Sequence, residues 1–498
     1  MSIWRLAVLL AATGAVVLSL IRLQAPYGEI ETVHGEVAGT PITIQRQPGD
    51  ASGPIVVIAH GFAGSRQLMQ PFAVTLALNG YTAISFDFLG HGGNPTPLTG
   101  DVTKEEGATL ALLQETQKII AHARTLAREG QGVALLGHSM ASDILVRAAV
   151  EDPEVAATVV VSMFSEQVTA ETPPNLLMIV GEYERFLTNA AIETLRLSGV
   201  AAPEEATTYP LSPGNIRRVA IADGVEHASV LYSRESMTEA VRWLDTVFDR
   251  EAGGPVEHRA PWLGLLFAGI VALGWPLAGL LRPVPFSAQP MRTGRFLVLL
   301  AAPAAATPLI LWPLPTGFMP VLVADYLALH FLLYGALTAG ALFLLTRPTV
   351  RWPQPALILQ SALAALFVTG AIAVPLDLYV ASFLPGANRV VLIGVLALGT
   401  LAYSLADEWL IARPGATWWW YPASKLAILL SLAAAVALNL SELFFLIIIL
   451  PVILLFFILY GLFSRWLLRS TGHPSIGGVA LGIAFAWALG VTFPLLAN

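Results

Sequence analysis

From Trp262 onward the chain is almost continuously apolar, and this limits what it can fold into. Stretches of about 20 such residues are long enough to cross the hydrocarbon core of a bilayer. Eight are predicted, over 262–281, 295–313, 321–345, 355–375, 388–406, 424–440, 443–464 and 475–496. Residues 23–260 have instead the composition of a soluble domain. The change falls in EAGGPVEHRAP, which predicts a linker over 253–261. Only 12% of the 498 residues are charged, and a soluble protein would carry about twice that fraction.

A further apolar segment, 4–21, opens the chain behind Arg5. It reads as a signal anchor or as a cleaved signal peptide. The following IRLQAPYGE lacks a convincing small-x-small cleavage site, which favours the anchor. The expected organisation is an anchor over 1–27, a soluble-type domain over 28–252, the linker, and a helical membrane domain over 262–498.

Basic residues alternate between the connections. Arg282, Arg292 and Arg295 lie in the first, Arg347 and Arg351 in the third, Arg413 in the fifth, and Arg465 and Arg469 in the seventh. The others carry chiefly Arg389, beside Asp325, Asp377 and Glu442. Positive residues stay cytoplasmic during insertion. The C-terminus and the soluble-type domain are therefore expected outside, and the anchor independently gives that domain the same side. The expected location is a bacterial plasma membrane, with the bilayer as partner. The run Trp418-Trp419-Trp420-Tyr421 suits a membrane–water interface. A net charge of −7 with no basic stripe excludes a nucleic-acid partner. The chain has no cysteine, which excludes disulfides, thiolate chemistry and Cys-ligated metals.

Within 28–252, short β-rich runs alternate with helical patterns. The runs are 41–45, 55–60, 82–87, 132–136, 157–161, 176–180 and 216–221; the helical patterns are 67–78, 104–128, 141–150, 187–197 and 235–248. Continuous apolar strands separated by helices predict a mostly parallel sheet covered on both faces. No helix separates the first strands, in 28–45, which predicts an antiparallel start.

The strongest local motif is Gly137-His138-Ser139-Met140-Ala141, between an expected strand and an expected helix. A nucleophilic serine on so tight a turn needs small neighbours two residues before and after. Gly137 and Ala141 supply them. The alternative is a serine that only caps the helix. Upstream, the strand over 55–59 runs into His60-Gly61-Phe62-Ala63-Gly64-Ser65. A tetrahedral oxyanion wants two converging backbone donors. The N–H of Met140 and the N–H of Phe62 are the candidates. In ISFDFLGHGGNP, Asp87 ends a strand and reads as structural. His91 has no second ligand at a spacing suited to a metal.

The stretches VVIAHGFAGS, ISFDFLGHGGNP and LLGHSMAS, in that order, resemble the α/β-hydrolase superfamily, in its monoacylglycerol-lipase-like and serine-aminopeptidase-like branch. The resemblance covers about residues 28–250. It implies a nucleophile, an acid and a histidine in that chain order. The acid should follow the strand over 176–180, in VGEYERF; the family's usual position, three residues after the glycine, holds Glu184, and Glu182 competes. The histidine should follow the last strand, where ADGVEHASVL offers His227. Ser139 would then lose its proton to His227 while the acid fixes the imidazole tautomer. Many relatives insert a helical cap after the strand that follows the nucleophile. Here about a dozen residues separate that strand from the next, too few for a cap. The site is expected to be open, or covered by 200–215 or by the membrane domain.

Polar residues are sparse beyond 262. Asp325, His330 and Tyr334 cluster, while Asp377, Asp407, Glu408 and Glu442 are expected near helix ends. Intramembrane ionisable groups are functional candidates by default; a satisfied interhelical hydrogen bond is the other reading of His330. The fold class expected is thus an α/β-hydrolase fold without a large cap, joined to an all-α membrane domain of about eight helices. The expected function is hydrolysis of hydrophobic carboxylic esters without a cofactor. An acyltransferase or peptidase would use the same groups, and a transporter or receptor would use the outer domain only to bind.

Overall fold

The structure is a computed structural model that describes residues 2–49, 53–101, 105–128, 130–251, 253–347 and 353–497. Lys104, Arg351 and Asn498 lie outside the described residues. Contacts divide the chain into two compact units. One holds Leu18–Gly264, Leu376–Ser382 and Pro494–Asn498, and the other holds Met1–Val17, Leu265–Pro375 and Phe383–Phe493.

Helix α1 (Ile3–Gln24) leads into the first unit, whose centre is one nine-stranded sheet. In chain order its elements are β1 (Glu31–Val37), β2 (Thr40–Arg46), β3 (Ile55–Ala59), α2 (Gln70–Leu78), β4 (Thr82–Phe86), α3 (Leu110–Leu126), β5 (Val133–His138), α4 (Met140–Glu151), β6 (Val155–Val161), β7 (Leu176–Gly181), α5 (Arg185–Leu197), β8 (Thr208–Ser212), β9 (Asn215–Ala222) and α6 (Arg234–Phe248). The strands lie in the order β1-β2-β4-β3-β5-β6-β7-β9-β8. Six of them, β4 through β9 in that order, run parallel, while β1, β2 and β8 join antiparallel.

All five residues of β3 are buried. They have to be, because helices cover both faces of the sheet. On one face Phe72 and Leu76 of α2 meet Trp243 and Leu244 of α6 over Val56 and Ile58. On the other, Ile119 of α3 and Ile144 and Leu145 of α4 pack over Val57 and Leu135. Each such aliphatic side chain contributes about 1.5–3 kcal/mol by leaving water. Helix α6 starts where Ser233 Oγ accepts the Ser236 N–H, and ends at Asp249 in the left-handed region.

The expected strands and helices all form, with shifts of a few residues at their ends. One expectation is corrected. The stretch 200–215 is not a free loop over the site, because it contains β8, which pairs with β9 at the sheet edge. Tyr209 and Leu211 alternate with exposed Thr208, Pro210 and Ser212, so the strand is half-buried and lacks the apolar run used to find the others.

The second unit is helical. It contains α7 (Ala260–Ala278), α8 (Thr293–Leu311), α9 (Ala324–Thr346), α10 (Pro355–Tyr379), α11 (Ala387–Ile411), α12 (Trp420–Leu438), the single turn α13 (Leu440–Leu443), α14 (Leu446–Thr471) and α15 (Pro474–Thr492), with the ends of α7 and α10 crossing into the first unit. Among the described residues nine helices, α1 included, are long and apolar enough to cross a membrane. Small residues let α11 approach its neighbours. A Cβ on Gly335 of α9 would stand 2.4 Å from the Tyr403 nitrogen, and one on Gly482 of α15 2.9 Å from Leu401 Cα.

Asp407 and Glu408 lie in the last turns of α11, which ends at Ile411, near a helix end as expected; the structure adds that both are buried and that Asp407 pairs with Lys425 of α12. The paired charge lets the helix run on past the carboxylates. Trp420 is buried and stacks on Phe296 at 4.0 Å, whereas Trp418 is exposed. His330 has the satisfied interhelical bond, with Nε2 3.0 Å from Ser431 Oγ of α12. Asp325 is buried in the first turn of α9, where it accepts the Phe318 and Tyr326 N–H groups. Glu442 is exposed.

Candidate active site

The carboxyl ends of the parallel strands gather the candidate residues, the usual place for a site in an open α/β sheet. Ser139 stands between β5 and α4 with φ 53° and ψ −120°. That is a strained conformation for a residue with a side chain. The strain needs room on both sides. A Cβ on Gly137 would lie 2.5 Å from Leu145 Cδ1 and 3.2 Å from Ala141 Cβ.

Ser139 Oγ lies 2.9 Å from His227 Nε2. His227, in the turn after β9, has Nδ1 2.5 Å from Glu184 Oε1. The other Glu184 oxygen, Oε2, accepts from Ser162 Oγ at 2.7 Å and from the Gly181 N–H at 2.8 Å. Burial pushes the Glu184 carboxyl up, but the bonds from His227, Ser162 and Gly181 outweigh it and hold it below its ordinary value. The structure thus brings Ser139, His227 and Glu184 into one hydrogen-bonded line. Glu182, the competing acid, does not join it. Its Oε2 accepts the Gly224 N–H at 2.8 Å, on the exposed side of the turn.

The loop after β3 crosses close to the Ser139 turn. A Cβ on Gly61 would stand 3.1 Å from Ser139 Cβ and 3.0 Å from His138 Nδ1. Gly61 thereby seats Phe62 next to the turn. Met140 is the first residue of α4, and N–H groups of a first helical turn have no acceptor within the helix. His60 fixes the loop from beneath: its Nδ1 donates to the Gly61 carbonyl at 2.8 Å and its Nε2 accepts the Phe88 N–H at 3.1 Å. Burial pushes its imidazole down to about 4.

Asp87 is structural, as read. It accepts from the Arg66 N–H at 2.7 Å, from Arg66 Nη1 at 2.6 Å and from the Gly93 N–H at 2.9 Å, and so ties the loop over 60–66 to the loop after β4. His91 bonds the Leu89 carbonyl at 2.9 Å, and the described residues hold no cluster of metal-ligating side chains.

Sequence reasoning missed Ser162 and His138. Ser162 is unremarked in sequence because only the parallel pairing of β6 with β7 brings it to Glu184. His138 Nε2 reaches the His227 carbonyl at 2.9 Å. Its position next to Ser139 was the one available signal.

Between β6 and β7, residues 162–175 contain neither helix nor strand, so no cap is inserted. The His227 side chain is 48% exposed while that of Glu184 is 6% exposed. The imidazole faces outward and the carboxylate is shielded.

The sheet order and the serine turn give the first unit an α/β-hydrolase fold. Residues 51–213 match the family described as serine aminopeptidase, S33. Similar solved structures include TT1662 from Thermus thermophilus, at 16% identity and TM-score 0.34, over 45% of this chain and 99% of its own. A membrane phospholipase A described as a bacterial virulence factor is similar at 15% identity and TM-score 0.33, over 48% and 92%. A soluble variant of the Saccharomyces cerevisiae monoglyceride lipase is similar at 12% and 0.32, over 44% and 96%. No curated protein sequence matches the chain.

Proposed function

We propose that the chain is a membrane-bound serine hydrolase that cleaves carboxylic esters of hydrophobic acyl groups. The observation that carries this reading is the hydrogen-bonded line from Ser139 Oγ through His227 to Glu184. His227 takes the Ser139 proton as Oγ attacks the ester carbonyl. Glu184 stabilises the imidazolium that results and keeps Nδ1 protonated. The N–H groups of Phe62 and Met140 receive the oxyanion. The alkoxide leaves with the proton from His227, and water, deprotonated by the same imidazole, releases the acid.

The preference for a hydrophobic acyl group is supported by exposed aromatics beside the acid. Phe164, Tyr183 and Phe186 are 51%, 66% and 69% exposed. Phe164 and Phe186 hold their rings 5.6 Å apart. They flank Ser162 and Glu184 in the chain and offer an apolar platform to an acyl chain. Each CH₂ laid on it is worth up to about 0.8 kcal/mol. An acyltransferase or peptidase would use the same groups with another acceptor or leaving group. A binding-only receptor would have no need of the Ser–His–Glu line.

The alternating basic connections support a hydrolase unit that lies outside a bacterial plasma membrane. The pairing of Leu98 with Leu496 supports a C-terminus on the same side as the hydrolase.

Labelling with a fluorophosphonate, followed by a panel of esters of rising chain length, tests the reading. The full-length protein should label, and Ser139→Ala should lose both labelling and turnover while remaining folded. Labelling of that variant at another serine, with turnover intact, would sink the proposal.

A further inference from the structure

The helical unit carries a cavity of about 510 Å³ where three parts of the chain meet. Phe286 walls it from the connection between α7 and α8, Arg413 and Trp418 from the connection between α11 and α12, and Arg465 and Arg469 from the end of α14. The turn behind the middle wall is closed by the Ala416 N–H, which donates to the Arg413 carbonyl at 3.0 Å. Gly415 allows the turn at φ 91°.

Three of the lining residues are arginines and one, Glu408, is a carboxylate. These charges do not cancel. Behind the wall Asp407 is paired with Lys425. Glu408 is buried, and Arg465 stands near enough to act on its charge. Arg413 and Arg469 are left over, and among the described residues neither has a carboxylate partner. Arg413 is only 6% exposed. Its Nε donates to the Trp409 carbonyl at 3.1 Å and its Nη1 to the Gln289 carbonyl at 3.5 Å. Capping α11 accounts for the first of these bonds. It does not account for a guanidinium held this far from water without a counter-ion, which is unfavourable. Nη2 makes no bond within the protein and is not sealed from solvent, so a group in the cavity can reach it.

Two surplus guanidinium groups call for an anion, and their forked N–H groups match the paired oxygens of a phosphate or a carboxylate. The location decides between the two. The cavity lies at the ends of α11, α12 and α14, all long and apolar enough to cross a membrane. Trp418 in its wall is 78% exposed, and such a side chain sits at the level of the lipid headgroups. Phosphate is the anion that this layer supplies. Ile411 and Leu468 give the lining an apolar side for the glycerol and the upper acyl chains. The volume is that of an ordinary small-molecule site.

We propose that this cavity binds the phosphate of an anionic membrane lipid, with Arg413 as the buried donor and Arg469 adding its charge at the rim. Ser139, His227 and Glu184 take no part, and the proposal does not rest on hydrolysis.

The test uses the full-length protein in nanodiscs of ether-linked phosphatidylcholine that carry a minor fraction of ether-linked phosphatidylglycerol, so that no ester is offered for cleavage. Native mass spectrometry reads the lipid retained after release. Wild type should retain one phosphatidylglycerol. Arg413→Gln should weaken retention about tenfold, and Arg469→Gln, at an exposed position, about fivefold. Arg292→Gln removes an exposed charge from the connection that carries Phe286 but lies outside the cavity, and should retain the lipid as wild type does. Inorganic phosphate in excess, compared with chloride at matched ionic strength, separates the two sources of the phosphate. Displacement means that phosphate alone is recognised, and persistence means that the glycerol and chains contribute; either supports the site. Wild type that retains no phosphatidylglycerol above the phosphatidylcholine background would overturn the proposal. So would wild-type retention in Arg469→Gln, which decides alone if Arg413→Gln does not fold. A loss in Arg292→Gln as large as theirs would overturn it too, because a basic surface and not the cavity would then hold the lipid.

Discussion

His138 Nε2 donates to the backbone carbonyl of His227 at 2.9 Å, so the residue before Ser139 holds the turn that carries His227. The two imidazole rings are 4.8 Å apart. Burial, then the neighbouring His227, pushes the His138 imidazole down to about 4, which keeps it neutral beside its partner. Its role is positioning. His138→Phe fills the space but cannot donate. Its kcat should fall about tenfold with KM little changed, and His138→Gln, which can still donate, should recover part of the loss. Steady-state kinetics on a soluble ester reads this. A change confined to KM would mean that His138 shapes binding instead.

The acid can be ranked in the same assay. Glu184→Gln leaves His227 Nδ1 facing an amide and should cost about three to four orders of magnitude in kcat, as mis-set tautomers do in serine triads. Glu182→Gln removes only the charge that holds the Gly224 N–H. Its effect should stay within a few-fold. Equal losses in the two variants would remove Glu184 from its assigned role.

Much of this site was legible because its demands are local. Ser139 needs small neighbours at two positions, and the sequence shows them as Gly137 and Ala141. Glu184 was a candidate through its spacing from Gly181, but spacing could not separate it from Glu182; the turn's direction decides that Glu184 is the carboxylate that faces His227. Ser162 was invisible because its contact with Glu184 arises where the ends of two different strands meet. In the helical half, hydropathy located the spans found among the described residues and put Asp407 near a helix end, but it did not show that this carboxylate is buried. It could not foresee that Lys425, 18 residues later, would meet that carboxylate inside the unit.

That buried pair makes its own prediction. Lys425 also lies over the rings of Tyr403, Tyr421 and Phe457. Lys425→Met would strand Asp407, and breaking one side of a buried ion pair typically costs about 3–5 kcal/mol. The double variant Lys425→Met with Asp407→Leu should recover most of the lost thermal stability in detergent. A double variant no better than the single would show that the charges do not act as a pair.

Acid should loosen the hydrolase unit before it protonates the Glu184 carboxylate. His60 and His138 both have imidazoles lowered to about 4 by burial, against an ordinary value near 6.5. A depressed imidazole means that the unfolded chain binds more protons than the native one over that interval. The stability these groups contribute is therefore complete above about pH 6.5 and is lost as pH falls toward 4, by up to about 1.4 kcal/mol per histidine and pH unit. The unfolding midpoint should drop between pH 7 and pH 5. His60→Asn, less stable at pH 7, should drop less. An identical acid response in that variant would locate the loss elsewhere.

The hydrolase unit also takes in two segments that come from far along the chain. Leu98 donates its N–H to the Leu495 carbonyl at 2.8 Å, Leu495 donates to the Gly90 carbonyl at 2.9 Å, and Ala497 donates to the Leu98 carbonyl at 2.8 Å. Ser382 donates its N–H to Ser65 Oγ, at the end of the Phe62 loop, at 2.8 Å. A fragment of residues 28–252 would lack both straps, so its chain-length preference would mix lost lipid contacts with a loosened site. Single variants of the full chain separate the two. Leu495→Pro removes the N–H that bonds Gly90 and leaves the membrane helices intact. Amide exchange across residues 90–98 should speed up, and turnover of short and long esters should fall by the same factor. Leu496→Ala keeps all three backbone bonds and should exchange nearly as wild type does. Unchanged exchange in Leu495→Pro would mean that the C-terminal strap is not what orders the loop beside Asp87.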